Sequence, residues 1–576
     1  MVFTSCNFAD TKTKISPNII LIVTDDQGWG DLSYHGNQNV ATPNLDAIAI
    51  NGLSMSNFYV QPVCSPTRAE ILTGQYFSRI GVYDTSAGGE RMDIGVPTLG
   101  DIFKSNGYAT GAFGKWHNGA QPPYHPNSRG FEEFYGFCSG HWGNYFSPMI
   151  EHNGTFTTGN GFLANDLFDR SMEFIEKQNN KPFLVYLPVN TPHSPMQVPD
   201  IFWSKFRDKE LINRYAGPEQ EDEAFTRAAL AMVENIDYNV GRLREFLKDR
   251  GLEENTILVF MSDNGPNGWR WNGELKGKKG ATDEGGVKSP LFIQWPKRIK
   301  AGTQLTQIMG SIDILPTLAG LAGIKLNDAV KIDGLGLHAE MLGTKKSQHR
   351  RALFNHWNGK TSVRIQDYRL DAENRLYDLR NEHSQTQDLS DKYPKLRDSL
   401  VRLKNDWEKL VRAFPGSLDS RPFTLGAQEA NFTYLPAQDG TAHGAIQRSN
   451  RWPNDSYFTN WKTLQDSITW PVAILNTGTF EVFLHYTCDQ ENIGAKIELS
   501  VNGQQVSKTI DEAFSHPINA SRRDIYPRME SDVKVFKRIK FGNLTLIKGQ
   551  GYLSLKALNI PGKAAVDFRM LEFVKL

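Results

Sequence analysis

The sequence predicts an α/β protein: a mostly parallel sheet flanked by helices, then a smaller antiparallel subdomain, then an appended β-sandwich. Three observations carry this expectation. The continuous apolar, β-branched runs Ile19-Ile20-Leu21-Ile22-Val23, Phe183-Leu184-Val185-Tyr186-Leu187 and Ile257-Leu258-Val259-Phe260-Met261 read as strands buried on both faces, as in parallel sheets. Between the last two lies a long amphipathic segment with Leu230, Val233, Ile236, Val240, Leu243 and Phe246 at helical spacing. From about residue 420 onward, apolar and polar residues alternate in short strands separated by turns, the pattern of a sandwich. The units expected are 16–345, 346–418 and 421–576.

In chain order, the first strand runs from Pro17 and ends in Asp25-Asp26-Gln27-Gly28. Two adjacent carboxylates at the carboxyl end of a buried strand are costly unless a cation lies between them. Open α/β sheets bind ligands at this end, and oxygen ligands suit a hard cation. Thr42-Pro43 starts a helix, with proline near its first position. Residues 97–104 form another helix. The strand 108–114 delivers Lys115-Trp116-His117 to its end, and 131–137 is expected as an aromatic loop. The strand 182–187 ends at Asn190-Thr191-Pro192-His193, and the strand 256–261 at Ser262-Asp263-Asn264-Gly265. Lys276-Gly277-Lys278-Lys279-Gly280 is a local cluster of cations, followed by Glu284-Gly285-Gly286 and the strand 291–295; a helix at 311–318 closes this half. Shorter, antiparallel strands follow from about residue 350, then a helix near 395–414 and a break at Pro415-Gly416-Ser417.

One stretch organises the rest: Cys64-Ser65-Pro66-Thr67-Arg68, continuing to Leu72-Thr73-Gly74. Pro66 disfavours helical backbone before it, so Cys64 and Ser65 are expected to be extended or turned. From Thr67 a short helix with a glycine stop is expected, placing Cys64 near a helix N-terminus that favours negative charge.

Composition narrows the function. The 576 residues carry 64 basic and 64 acidic side chains, so no net field steers nucleic acid or a membrane, and any anion site must be a local concentration of charge. The four cysteines, Cys6, Cys64, Cys138 and Cys488, include no closely spaced pair, which argues against zinc and dithiol chemistry and implies no disulfide framework. No run approaches the ~18 apolar residues of a membrane span.

Strand ends thus carry Asp25-Asp26, Lys115 and His117, His193, and Asp263-Asn264: a cation site ringed by protonatable groups, suited to transfer of a tetrahedral anion. These strings, with Cys64 to Gly74, Gly114 to His117, Thr191 to His193, Lys279-Gly280 and Glu284 to Gly286, resemble the type I formylglycine-dependent sulfatases over roughly residues 16–400. The resemblance implies an alkaline-phosphatase-like fold. It also implies conversion of Cys64 to 3-oxoalanine (formylglycine) by a formylglycine-generating maturation enzyme. Asp25, Asp26, Asp263 and Asn264 would hold Ca2+, with residue 64 completing the site. Arg68 and Lys115 would steady the aldehyde hydrate and sulfate. His117 would take a proton from the hydrate, and His193 and Lys279 would bind sulfate and protonate the leaving alcohol. One hydroxyl of the hydrate attacks sulfur and the other later expels sulfate, a release that an unmodified cysteine cannot provide. Two departures from the pattern stand out. Asn118 replaces a leucine, with little change expected, and Lys288 replaces an arginine, keeping charge without the bidentate fork.

His141, Trp142, Trp269, Arg270 and Trp271 are expected to border the cleft, the tryptophans stacking on sugar rings and Arg270 forking a second anionic group. A sulfated poly- or oligosaccharide fits these residues and the appended sandwich better than a small aryl sulfate. Two alternatives stand beside this reading. One is a phosphodiesterase or phosphonate monoester hydrolase of the same superfamily; the other is a catalytically inactive glycan-binding protein. Val2-Phe3-Thr4-Ser5-Cys6 resembles the tail of a bacterial lipoprotein signal. The expected location is therefore the periplasm or the outer membrane, as a lipoprotein whose signal has been trimmed.

Overall fold

In the computed structural model the apolar runs lie side by side in one ten-stranded sheet. The structure describes residues 16–576 except 180, 328, 347–349, 381, 412–420 and 517–522. Cys6, and with it the expected lipoprotein signal, lies outside the described residues. The centre of the sheet is parallel: Thr256–Ser262, Asn18–Thr24, Phe183–Pro188, Ala109–Lys115 and Glu133–Phe137, in that order. Antiparallel strands flank it, Leu291–Gln294 on one side and Met149–His152 and Thr155–Thr158 on the other. Residues 131–137, expected as a loop, instead supply the strand Glu133–Phe137, whose backbone continues the parallel ladder from Ala109–Lys115. Hydrogen bonding to a preformed edge overrides the turn-like aromatic and glycine content of this stretch.

Alternation along the first strand explains why it is apolar throughout. Ile20 and Ile22 face one core with Leu230, Val233, Ile236 and Val240 of the helix Glu223–Asp249. Ile19, Leu21 and Val23 face another, with Ala69, Ile71 and Leu72 of the helix Cys64–Thr73 and Leu315 and Leu318 of the helix Ile314–Ala322. Both faces are therefore dry, and truncating Ile22 to Ala would cost about 2–5 kcal/mol.

A four-stranded antiparallel sheet, Leu353–Trp357 to Leu376–Asp378, follows and packs with the helix Pro394–Val411. It is joined to the larger unit by Glu284, whose buried carboxylate meets Arg369 at 2.7 Å and accepts from Tyr59 Oη at 3.0 Å. The strands from Phe423 onward form two six-stranded sheets, and side chains from both, including Trp470, Leu555, Leu484 and Phe568, share one core. Asn502-Gly503 links Lys496–Val501 to Gln504–Thr509 with both residues at positive φ, the two-residue hairpin geometry.

Candidate active site

Because the central strands are parallel, their carboxyl ends open on one side, and the polar residues that follow them converge there. Thr24 lies opposite Ser262 in the ladder, so Asp25 and Asp263 emerge side by side. The Asp263 amide bonds the Thr24 carbonyl at 3.0 Å, and the Asp25 amide the Thr191 carbonyl at 3.1 Å. These bonds tie three strand ends together.

The helix Cys64–Thr73 points its N-terminus at this cluster. It begins at Cys64 itself, not at Thr67, with Val63 extended as its N-cap. Pro66 falls in the first turn, where its missing N–H would have no intrahelical partner, so it starts the helix instead of blocking it. Gly74 ends it in the left-handed conformation, as expected. Cys64 and Arg68, four residues apart, share one face.

Arg68 is fully buried and places its fork on Asp263 Oδ2, Nε at 3.0 Å and one Nη at 2.7 Å, while its other Nη donates to the Lys115 carbonyl at 2.9 Å. Lys115 Nζ lies 2.7 Å from Asp25 Oδ2. Lys279 Nζ lies 2.6 Å from Asp26 Oδ1, which also accepts from Asn264 Nδ2 at 2.8 Å. His193 Nε2 approaches Asp26 Oδ2 at 3.7 Å. Cys64 Sγ and carboxylate oxygens of Asp25 and Asp263 lie within 4.8 Å of one another. Every catalytic and metal residue expected from the sequence is thus in one cluster.

The electrostatics follow from burial and pairing. Burial would raise the Asp26 carboxyl, but Lys279 and then His193 and Asn264 hold it well below the usual range. Burial and the neighbouring Asp25 push Asp263 up, against Arg68. Burial would weaken the Lys279 ammonium, and Asp26 outweighs it, keeping it charged. Burial, with Lys115, holds His117 well below its ordinary value. His117 Nε2 lies 2.7 Å from the Thr85 carbonyl, which can only accept, so Nε2 carries the proton and the Nδ1 lone pair is left to take one. Burial raises the Cys64 thiol although Lys115 and Lys279 oppose it. As a thiol, this residue is therefore a poor nucleophile. Asp26 and His117 both sit at positive φ, 68° and 62°, a conformation unfavourable for side-chain-bearing residues and concentrated at functional sites.

The residues fit a hard cation. Asp25 Oδ1, Asp26 Oδ2 and Asn264 Oδ1 are buried without a hydrogen-bond partner, an arrangement that costs free energy unless a cation meets them. The well is narrow. Cys64 is 4 % exposed, whereas the His193 and Lys279 side chains are 11 % and 20 % exposed and mark its opening.

The expected substrate residues divide. His141 stacks on His193 with ring centroids 5.9 Å apart, and its buried Nε2 has no partner, so it borders the well. Trp269 is partly exposed, stacked on Tyr215 at 4.9 Å beneath Lys278, and Trp271 is partly exposed. Trp142 corrects the expectation. It is packed in the core against Phe137, donating Nε1–H to the Met149 carbonyl at 2.9 Å. Arg270 is a second correction, since its guanidinium is buried on Asp31 at 2.6 Å and on the Asp26 carbonyl at 3.0 Å. An arginine so engaged has no fork left for a substrate anion; it fixes the Asp26 turn instead. Lys288 lies over Trp29 at 5.0 Å, away from the cation cluster.

Sequence reasoning undervalued Asn118, for which little effect was expected, and missed Gln27 and Asn190. Asn118 is fully buried and donates to the Ser65 carbonyl at 3.3 Å and the Glu90 carbonyl at 3.1 Å, joining the start of the Cys64 helix to the His117 segment. Gln27 and Asn190 are buried with both side-chain polar atoms unpartnered. Gln27 was visible next to Asp25-Asp26, but nothing in its own pattern distinguishes it.

The sulfatase family profile matches residues 17–324, and the C-terminal profile of N-sulphoglucosamine sulphohydrolase matches 278–410. The N-acetylgalactosamine-6-sulfatase of Mus musculus is 33% identical over 386 residues, 61% of this chain and 70% of that protein. Arylsulfatase A of Homo sapiens is 33% identical over 59% of this chain and 70% of its own length. Among solved structures, Ps i-CgsB in complex with k-i-k-neocarrahexaose is 31% identical with a TM-score of 0.62, covering 68% of this chain and 92% of that one. With the profile spanning more than half the sequence and the strand-end cluster in place, the chain belongs to the sulfatase family of sulfuric ester hydrolases, in the alkaline-phosphatase-like superfamily.

Proposed function

We propose that this protein removes sulfate from a sulfated oligo- or polysaccharide, using residue 64 in its formylglycine state and a calcium ion. The observation that carries the proposal is the set of orphaned, buried oxygens of Asp25, Asp26 and Asn264, facing a helix whose first residue is Cys64. Asp25, Asp26, Asp263, Asn264 and residue 64 would hold the ion, which supplies positive charge opposite the sulfate oxygens. The aldehyde hydrate supplies two hydroxyls on one carbon, one to attack sulfur and one to release the sulfate.

The protein's own groups do the rest. Asp263 and Asp25 fix the positions of Arg68 and Lys115, whose positive charge steadies residue 64 and the anion. The His117 Nδ1 lone pair accepts a proton from the hydrate. Lys279 and His193, at the mouth, bind sulfate and protonate the leaving alcohol. His141, Trp269 and Trp271 border the sugar. The carbohydrate assignment draws on Ps i-CgsB, whose complex contains neocarrahexaose, and on the N-acetylgalactosamine-6-sulfatases. We further propose units at 16–345, 346–418 and 421–576, conversion of Cys64 by a formylglycine-generating enzyme, and a bacterial periplasmic or outer-membrane location.

The test is sulfate release from sulfated glycans, run beside a phosphonate ester, before and after chelation. Release that stops on chelation, with a fall in Tm, and returns with calcium supports the proposal. Preference for the phosphonate ester, or release indifferent to chelation, would overturn it.

A further inference from the structure

Among the places where the C-terminal sandwich meets the catalytic unit are the segments that carry its histidines. One meeting point is the turn between Gln447–Arg448 and Phe458–Thr459. There Asn454 Nδ2 donates to the Thr85 carbonyl at 3.1 Å, the same oxygen that accepts from His117 Nε2 at 2.7 Å. A carbonyl has two lone pairs, so both bonds are made together. Asn454 Oδ1 accepts from the Gly140 amide at 3.1 Å, one residue before His141. A Cβ on Gly140 would lie 2.3 Å from Asn454 Nδ2 and 2.6 Å from His117 Nε2, so these groups meet across a gap that only glycine leaves open. Next to it, Asp455 Oδ2 accepts from the Gly143 amide at 2.6 Å.

A second grip reaches the His193 segment. The Ile525 amide bonds the Met196 carbonyl at 2.9 Å, Gln197 Nε2 donates to Asp524 at 2.7 Å, and the Ser194 hydroxyl donates to the buried Glu530 carboxylate. Arg528 donates to the Gly143 carbonyl at 2.7 Å, closing the two grips on one loop. Other bonds join the two units elsewhere, at Arg91, Gln121 and Gly154, but these two grips fall on the residues flanking His117, His141 and His193.

We infer that the C-terminal sandwich is a working part of the active site, with Asn454 as a positioning residue that sets His117 and His141 through the Thr85 carbonyl and the Gly140 amide. With Thr85 O fixed by two donors, the His117 ring is held by its Nε2–H, and its Nδ1 keeps one direction. The inference rests on the sulfatase reading above for its effect on turnover, but not for its effect on the loop.

The experiment compares wild type with Asn454→Ala, and with Thr424→Val as a control. Thr424 bonds the Pro122 carbonyl at 2.7 Å and so joins the two units away from the histidines. Turnover is measured on protein whose residue 64 is verified as the aldehyde by peptide mass, together with Tm and hydrogen exchange of the peptide 137–145. Asn454→Ala is expected to lower kcat about 10- to 100-fold with KM within about threefold, as small misplacements of catalytic groups do, and to speed exchange at Gly140. Thr424→Val is expected to keep wild-type kcat even if Tm falls. If Asn454→Ala does not fold, Asn454→Asp replaces it: the acceptor to Gly140 remains and the donor to Thr85 O is lost, so kcat should still fall. Wild-type kcat in the Asn454 variant, or an equal loss in Thr424→Val, would overturn the inference. Unchanged exchange at Gly140 would also overturn it, and that result stands even if wild type released no sulfate, which would defeat the functional reading instead.

Discussion

Glu70 lies on the helix that carries Cys64 and Arg68, and its environment makes a quantitative demand. The carboxyl is 1 % exposed and accepts from Gln61 Nε2 at 2.8 Å, from the Ser311 hydroxyl at 2.5 Å and from the Phe77 amide at 3.4 Å. No cation pairs with it among the described residues. Burial pushes it from 4.5 up to about 8, only partly offset by these hydrogen bonds, Ser311 first. The folded state therefore binds this proton more tightly than the unfolded chain. Its contribution to stability is complete below about pH 4.5 and is lost as pH rises through about 8. At roughly 1.4 kcal/mol per pH unit, the loss is on the order of 4 to 5 kcal/mol across that range. Glu70→Gln keeps the shape and stays neutral: its amide oxygen accepts from Gln61 and Phe77, and its NH2 donates to the Ser311 oxygen. The variant should match wild type near pH 5 and exceed it by several degrees in Tm near pH 8.5, with a flatter profile between. Parallel Tm profiles from pH 5 to 9, with no narrowing of wild-type stability at high pH, would refute the buried neutral carboxyl.

Two further substitutions test the site. Arg68→Lys keeps charge but loses the fork on Asp263, and is expected to lower kcat by about 10²–10³ with little change in Tm; near-wild-type kcat in steady-state sulfate release would contradict the role given to the guanidinium. Arg270→Ala strands Asp31 and frees the Asp26 turn. A loss of about 3–5 kcal/mol in stability is expected, read by denaturant midpoint, with the ranking of glycan substrates unchanged. A changed ranking at unchanged stability would restore Arg270 to substrate recognition.

The parts of the fold legible in the sequence are those with strong local periodicity. Strands buried on both faces announce themselves by unbroken apolar runs, and their polar ends mark where the site lies, so Asp25, Asp26, Lys115, His193, Asp263 and Asn264 were found together. Outer strands of the sheet such as Leu53–Met55 and, at its edge, Thr303–Leu305 are three residues long, too short for any period to show. The start of the Cys64 helix was misplaced because a proline is read as a breaker before its position within the first turn is known. Arg270 was misread because a cation between tryptophans says nothing of Asp31, 239 residues earlier in the chain. The bonds from Asn454 and Glu530 to the histidine segments are likewise long-range and leave no pattern in either partner.

The central claim is that position 64 acts as an aldehyde in a sulfate-transferring site. The most direct measurement is sulfate release from a panel of sulfated glycans by wild type whose residue 64 is shown by peptide mass to be 3-oxoalanine, beside Cys64→Ala of equal Tm. Release by the converted wild type and none by Cys64→Ala is the expected result. Release by Cys64→Ala near the wild-type rate, or by wild type that retains an unmodified thiol, would contradict the account.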